Sequence, residues 1–354
     1  MNPILVEKFR DYLLEYPYNA GTVYEWGLKS KRILEETREE IKKKLKWKGE
    51  LVFTSGGTEG NNLAIKALTE NRSHGVVWYS QTAHASLTAP VDHLMERGWE
   101  AHPLPLRKGG IVDIDQLVDL PKPDLVAIEW VNSEVGFIQP IESLGSWLKK
   151  EVPLAKLVVD SVQGIGKLPC PDWTHVDAFV ISGHKFGAPV GVGALALKEP
   201  KNMHPLQFGG GQEYGWRSGT VATANILCLR DALFEAYDNL KQDFGFSDFD
   251  GEAYFMRELG VDYSPFIGLL KTDPVDGEIL LHQLEAKGIA VGLGSACQAY
   301  KKKPSKTLQL LGFKGSAARK TLRLSWTPQT HLQELENALE LYRDLHLESC
   351  KYFK

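Results

Sequence analysis

The chain has 354 residues, 24% of them charged and 43% hydrophobic, with a formal net charge of −4. That balance excludes wholesale disorder, and its slight acidity gives no bias towards polyanions, so direct nucleic-acid binding is not expected. No apolar run reaches the roughly 18–20 residues of a membrane span, and Glu7, Lys8 and Arg10 stand where a secretion signal needs its apolar stretch. Cys170, Cys228, Cys297 and Cys350 are widely spaced, with no CxxC and no histidine cluster. No disulfide framework and no metal site is expected, and a reducing, cytoplasmic compartment fits.

Residues 29–45 read as a charged helix with Ile33, Leu34, Ile41 and Leu45 towards a core and Lys42–Lys44 on a solvated face. Short apolar runs at 50–54, 76–80, 124–130, 156–160, 177–182 and 192–197 then alternate with helical patterns. Near-continuous Val/Ile/Leu runs of this length predict a mostly parallel sheet covered on both faces, an α/β fold. Residues 220–242 predict a long helix. Beyond it come a helix at 277–288, a strand at 289–292, a strand at 319–325 and a closing helix at 330–348 with a capping box, Thr330-x-x-Gln333. These elements suggest a large domain over 15–228 and a smaller α+β domain over 229–354, joined by the N-terminal segment 1–14. Residues 241–275 are the least legible.

Several strand ends carry chemistry-bearing residues. Thr54-Ser55-Gly56-Gly57-Thr58-Glu59-Gly60-Asn61-Asn62 lies between a strand and a helix. Its glycines would let backbone approach a phosphate at the helix N-terminus, with the Thr58 hydroxyl added; a plain tight turn is the alternative. His84 follows strand 76–80 and could stack on a cofactor ring or move a proton, though lone loop histidines are commonly structural. Asp160 ends strand 156–160, with Gln163 three residues on. A carboxylate there could hold a pyridinium nitrogen protonated, or merely cap a turn.

Ser182-Gly183-His184-Lys185 directly follows strand 177–182. A lysine at the end of a buried strand is costly unless partnered. It reads as a Schiff-base lysine for pyridoxal 5′-phosphate (PLP), with Ser182 and His184 as nearby donors, or as an exposed loop lysine. Cys297 ends Gly294-Ser295-Ala296-Cys297, and Lys301-Lys302-Lys303 behind it would favour a thiolate. Arg323 alternates with Leu322 and Leu324 and could fork onto a substrate carboxylate, or face solvent.

Taken in order, Gly56-Gly57-Thr58, His84, Asp160-x-x-Gln163, Ser182-Gly183-His184-Lys185, Arg217-Ser218-Gly219-Thr220, Ser295-Ala296-Cys297 and Arg323 closely resemble the cysteine desulfurase family. That family belongs to the class V aminotransferase group, PLP enzymes of fold type I. The resemblance runs from about residue 3 to residue 345. The GSAC form resembles the nitrogen-fixation and iron–sulfur branch with a long cysteine loop. The resemblance implies a Schiff base at Lys185, Asp160 on the pyridine nitrogen, Gln163 on the ring hydroxyl and His84 stacked on the ring. It implies phosphate contacts from Gly57, Thr58, Ser182 and His184, with Thr220 reaching the phosphate of a neighbouring subunit in a homodimer. Arg323 would bind the carboxylate of L-cysteine. Cys297 would attack its sulfur and pass a persulfide to a sulfur-acceptor or scaffold protein.

There are departures. No strand and small-residue turn of the YLDNAAT type follows Asn2-Pro3, and Ala83 stands where many members carry Glu. In Val131-Asn132-Ser133-Glu134-Val135-Gly136, Ser133 replaces the asparagine expected before Glu. Either Ser133 leaves a contact to cofactor or substrate long, or Asn132 supplies the amide through a shifted loop. The competing activities are a selenocysteine lyase, a transaminase, or a non-catalytic scaffold that keeps the fold.

Overall fold

The structure is a computed structural model and describes residues 3–199, 204–240, 260–293, 305–313 and 315–353. Contacts divide the chain into two compact units. The first comprises Met1–Pro105, Ile114–Trp130 and Pro140–Lys241; the second comprises Leu106–Asp113, Val131–Gln139 and Gln242–Lys354. The expected boundary at 228/229 falls inside one continuous helix, and segment 1–14 lies in the first unit.

The first unit runs α1 (Pro3–Glu15), α2 (Glu25–Lys44), β1 (Glu50–Thr54), α3 (Gly57–Thr69), β2 (Val76–Tyr79), α4 (Ala85–Glu96), β3 (Glu100–Pro103), β4 (Leu125–Glu129), α5 (Ile141–Glu151), β5 (Lys156–Asp160), β6 (Ala178–Ser182), β7 (Gly193–Leu197) and α6 (Thr223–Asn239). The strands form one sheet in the order β1-β7-β6-β5-β4-β2-β3. β7 runs antiparallel to both its neighbours, and the remaining pairings are parallel. β4, β6 and β7 are buried at every residue, which is why their sequences show no alternation. The core between sheet and helices includes Val52, Leu63, Val91, Leu125, Val158, Val180 and Leu195.

α2 starts four residues before the expected helix and buries Leu34 and Ile41 as predicted, with Leu45 buried at its C-cap. It also buries Arg38. That guanidinium bonds Glu213 at 2.8 and 2.9 Å and lies over the Phe53 and Tyr214 rings. Two glycines set how closely the β1–α3 turn meets the sheet. Gly56 has φ +151°, a conformation few other residues adopt, and a Cβ on Gly193 would stand 2.8 Å from the Gly56 Cα.

The second unit holds β8 (Ile267–Lys271), α7 (Gly277–Glu285), β9 (Gly292–Leu293), α8 (Lys306–Leu310), β10 (Thr321–Ser325) and α9 (Leu332–Cys350). Its antiparallel sheet has the order β8-β10-β9. The strand expected at 289–292 is therefore displaced to Gly292–Leu293. The capping box at Thr330 is a correction. His331 is the N-cap of α9 and makes no side-chain cap, while the Thr330 hydroxyl accepts from the Thr327 N–H and Gln333 turns along the helix to Asn337. Leu335, Leu339 and Tyr342 are buried, but Leu332, in the first turn, is exposed. Among the described residues no helix is long and apolar enough to cross a membrane, and no cluster of metal-ligating side chains occurs.

Candidate active site

The carboxyl ends of β1, β2, β4, β5 and β6 share one edge of the first unit's sheet, because these strands run parallel. Open α/β sheets bind ligands at that edge. β5 ends there in Asp160, β6 in Ser182, and β2 leads through a short turn to His84.

Asp160 is buried. Its Oδ2 accepts from Asn61 Nδ2 at 2.8 Å and its Oδ1 from the Val162 N–H at 3.1 Å. Burial pushes its pKa above the ordinary aspartate value. The two hydrogen bonds, and the nearby His84 and Lys185, pull the other way without cancelling it. Both of its hydrogen-bond donors are neutral amides. Glu129, in register with Asp160 on β4, is a second buried carboxylate, with Oε1 accepting from the Thr82 hydroxyl at 2.6 Å.

His84 caps α4. Its Nδ1 accepts from the Ser86 N–H at 3.1 Å and lies 2.9 Å from the Ser86 hydroxyl. Lys185 sits in a single 3₁₀ turn, Gly183–Phe186, that begins immediately after β6. The turn is held by Gly183 N–H to Val192 O and Ala188 N–H to Gly183 O, both 3.0 Å. Gly183 packs too tightly for a side chain: a Cβ would meet Leu229 of α6 at 2.8 Å. Lys185 is half-buried and acts electrostatically on both Asp160 and His184. His184 lies 3.1 Å from the Ser182 hydroxyl through Nδ1. Burial, then the positive charges of Lys185 and Lys167, hold its pKa below the ordinary histidine value.

The Gly56–Gly57 turn faces Ser182. A Cβ on Gly56 would lie 3.5 Å from the Ser182 hydroxyl oxygen, and one on Gly57 would lie 2.8 Å from Val162 Cγ2. α3 begins at Gly57, so its first free N–H groups open at this turn. Thr58 is exposed in that first turn. Gln163 Oε1 accepts from the buried Lys167 ammonium at 2.8 Å. Thr220 is exposed at the end of a loop tied down by Arg217, whose Nε donates to Glu59 at 2.7 Å.

The second unit carries Arg323 on β10, opposite Gly292. Leu322 and Leu324 are buried on the other face, as their alternation predicts. Arg323 Nη1 donates to the Ser133 carbonyl at 2.9 Å, and its buried Nε has no acceptor among the described residues. The Asn132 Oδ1 accepts from the Glu134 and Val135 N–H groups at 2.9 and 3.0 Å, an Asx turn that shapes the loop. Glu134 is a half-buried acid that accepts from the Ser305 hydroxyl, with a pKa raised by its partial burial. Cys297 lies outside the described residues.

Sequence reasoning left Asn61, Ser86, Glu129 and Glu134 without roles. Asn61 and Glu134 stand inside motifs already quoted, which was the available signal. Glu129 ends a run that is otherwise apolar.

A lysine, a buried carboxylate, a histidine and a glycine-lined helix start on one sheet edge define an α/β enzyme of group-transfer chemistry. Residues 2–243 match the family described as aminotransferase class-V. The cysteine desulfurase IscS of Dictyoglomus turgidum is 32% identical over 96% of this chain and 88% of its own. The mitochondrial cysteine desulfurase of Arabidopsis thaliana is 33% identical over 92% and 75%. A solved NifS-like protein superposes with a TM-score of 0.86 at 25% identity, over 98% and 96% of the two chains. A structure described as SspA in complex with cysteine gives 0.80 at 25% identity, over 94% and 97%. The chain belongs to the class V aminotransferases, and within them to the cysteine desulfurase family.

Proposed function

We propose that this protein is a PLP-dependent cysteine desulfurase. It would take the sulfur of L-cysteine onto Cys297 as a persulfide, leave L-alanine, and hand the sulfur to an acceptor or scaffold protein. The observation that carries the cofactor reading is Asp160, a buried carboxylate whose hydrogen-bond donors are both uncharged. A protonated ring nitrogen would give Asp160 a hydrogen-bonded cationic partner, and the glycine-lined start of α3 beside Ser182 suits a phosphate. These residues fit PLP.

When bound, PLP supplies an electron sink for the substrate Cα. The chain's own groups do the rest. The Lys185 amine would hold the cofactor and, when free, take the Cα proton. Asp160 would keep the ring nitrogen charged. His84 would face the ring and move protons. Gln163 would offer its amide NH₂ to the ring hydroxyl while Lys167 holds its oxygen. Gly57, Thr58, Ser182 and His184 would hold the phosphate. Thr220, exposed on its loop, would reach the phosphate of a second copy in a homodimer. Arg323 grips the substrate carboxylate with the side that Ser133 does not occupy, and Asn132 acts by shaping the turn beneath it. The Cys297 thiolate would attack the substrate sulfur, the carbon–sulfur bond would break with its electron pair left on carbon, and a proton at Cβ together with return of the proton to Cα would complete alanine.

Incubation with L-cysteine should release alanine and leave one extra sulfur on the Cys297 peptide by mass spectrometry. Alanine formation without that modified peptide would favour a selenocysteine-lyase type of reaction. No alanine and no visible cofactor band would favour a scaffold.

Arg323→Lys keeps the charge and removes the fork. One charge-assisted hydrogen bond lost corresponds to a KM for L-cysteine raised about 10- to 100-fold, with kcat changed much less. Steady-state kinetics on the PLP-loaded variant read this directly. An unchanged KM would remove Arg323 from substrate binding.

A further inference from the structure

Asn61 lies in the second turn of α3 and is fully buried. It has none of the roles assigned above. Its single amide nitrogen donates twice, to Asp160 Oδ2 at 2.8 Å and to Ser86 Oγ at 2.9 Å. An ionised carboxylate only accepts, so the amide must present its NH₂ to Asp160. Ser86 continues the chain. Its backbone N–H donates to His84 Nδ1, so that nitrogen carries no proton and the Ser86 hydroxyl also donates to it. The imidazole proton is then on Nε2.

We propose that Asn61 is a positioning residue which keeps Asp160 ionised and, through Ser86, holds His84 in the tautomer protonated on Nε2. The inference rests on the PLP reading of the site. One amide thus joins the group that charges the cofactor ring to the group that stacks on it.

The surroundings of Asp160 leave this task to Asn61. α3 contributes no charge here, because Glu59 is turned to Arg217 and Ser55. The cap of α4 contributes His84, the turn after β6 contributes Lys185, and neighbouring β4 contributes Glu129. The hydrogen bonds that favour the charged carboxylate come from Asn61 and from the Val162 N–H. Removing the side-chain donor leaves burial opposed by the Val162 N–H and by the Lys185 charge. The Asp160 pKa then rises further. Its ionised fraction falls most on the acid side and recovers as pH rises.

The test is equilibrium titration of apoprotein with PLP by absorbance, from mildly acidic to mildly alkaline pH. Asn61→Ala should weaken PLP binding about 10- to 100-fold on the acid side, the loss narrowing as pH rises. Asn61→Asp preserves shape and sets a second carboxyl against Asp160, so it should show the same sign and a larger effect; it serves if the alanine variant fails to fold. Ser86→Ala should move the His84 ring-nitrogen NMR signals, and signals left unmoved overturn the link to His84. In an Asp160→Asn background, Asn61→Ala should add no pH-dependent loss. A loss equal at every pH, or unchanged affinity, overturns the proposal. Wild-type protein that binds no PLP overturns the cofactor reading instead, and that result is visible before any Asn61 variant is measured.

Discussion

Lys185→Ala should lose the visible absorbance of covalently held PLP and yield no borohydride-fixed label at residue 185, and turnover of L-cysteine should fall about 10²- to 10⁴-fold or more. The reason is positional. β6 is buried at every residue and ends in Ser182, and one 3₁₀ turn sets the Lys185 side chain at the sheet edge beside Asp160 and His184. That turn is fixed by backbone bonds on both sides and by the close packing of Gly183, none of which involve the Lys185 amine. Loss of the amine therefore removes chemistry while the turn stays. The apoprotein should unfold at nearly the wild-type denaturant midpoint, and non-covalent PLP should still bind through Asp160 and the phosphate turn. Borohydride reduction of the wild type, followed by peptide mapping, checks the assignment. A label on another lysine would move the active site elsewhere.

Cys297→Ser should still bind PLP and respond spectrally to L-cysteine, yet release almost no alanine. Only a thiolate attacks sulfur effectively, and a serine hydroxyl stays protonated at neutral pH. Two of the three described cysteines are poor substitutes. Cys228 is fully buried on α6, and burial, then the Asp231 charge, pushes its thiol up to about 12. Burial also raises the Cys170 thiol, which lies 2.9 Å from the Tyr237 hydroxyl. Cys297 instead follows Gly294-Ser295-Ala296 and precedes three lysines at 301–303. In sequence it stands four residues beyond β9, the strand paired with Arg323. Serine variants of Cys170, Cys228 and Cys350 should keep alanine production, measured in the same assay. Normal alanine production by Cys297→Ser would sink the persulfide mechanism and leave a lyase that needs no protein thiol.

Much of the large unit was legible from local pattern. A strand buried on both faces needs an unbroken apolar run, so β1, β2, β4, β5, β6 and β7 announced themselves. β3, Glu100–Pro103, did not. It is an edge strand with exposed Glu100 and Pro103, and burial imposed no pattern on it. The helix over 29–45 was visible as a stripe of leucine and isoleucine, but its buried Arg38 was not. That charge is tolerated because carboxylates meet it, above all the buried Glu213, 175 residues away.

The site divides along the same line. Strand ends followed by Asp160, Lys185 and Gly56-Gly57 could be read in sequence, because each is a local change from apolar run to polar turn. Ser133 could be marked as unusual, but only the fold assigned its carbonyl to Arg323, 190 residues on. Asn61 reads as one more polar residue on a helix. Its meaning arises where α3 crosses the sheet and meets Asp160, 99 residues later in the chain. By itself the sequence determined which segments must be buried and where each turns polar, since burial and turn chemistry act on neighbouring residues. Tertiary structure alone decided which polar groups face each other, since the sign and strength of a buried electrostatic contact depend on the partner that the fold delivers.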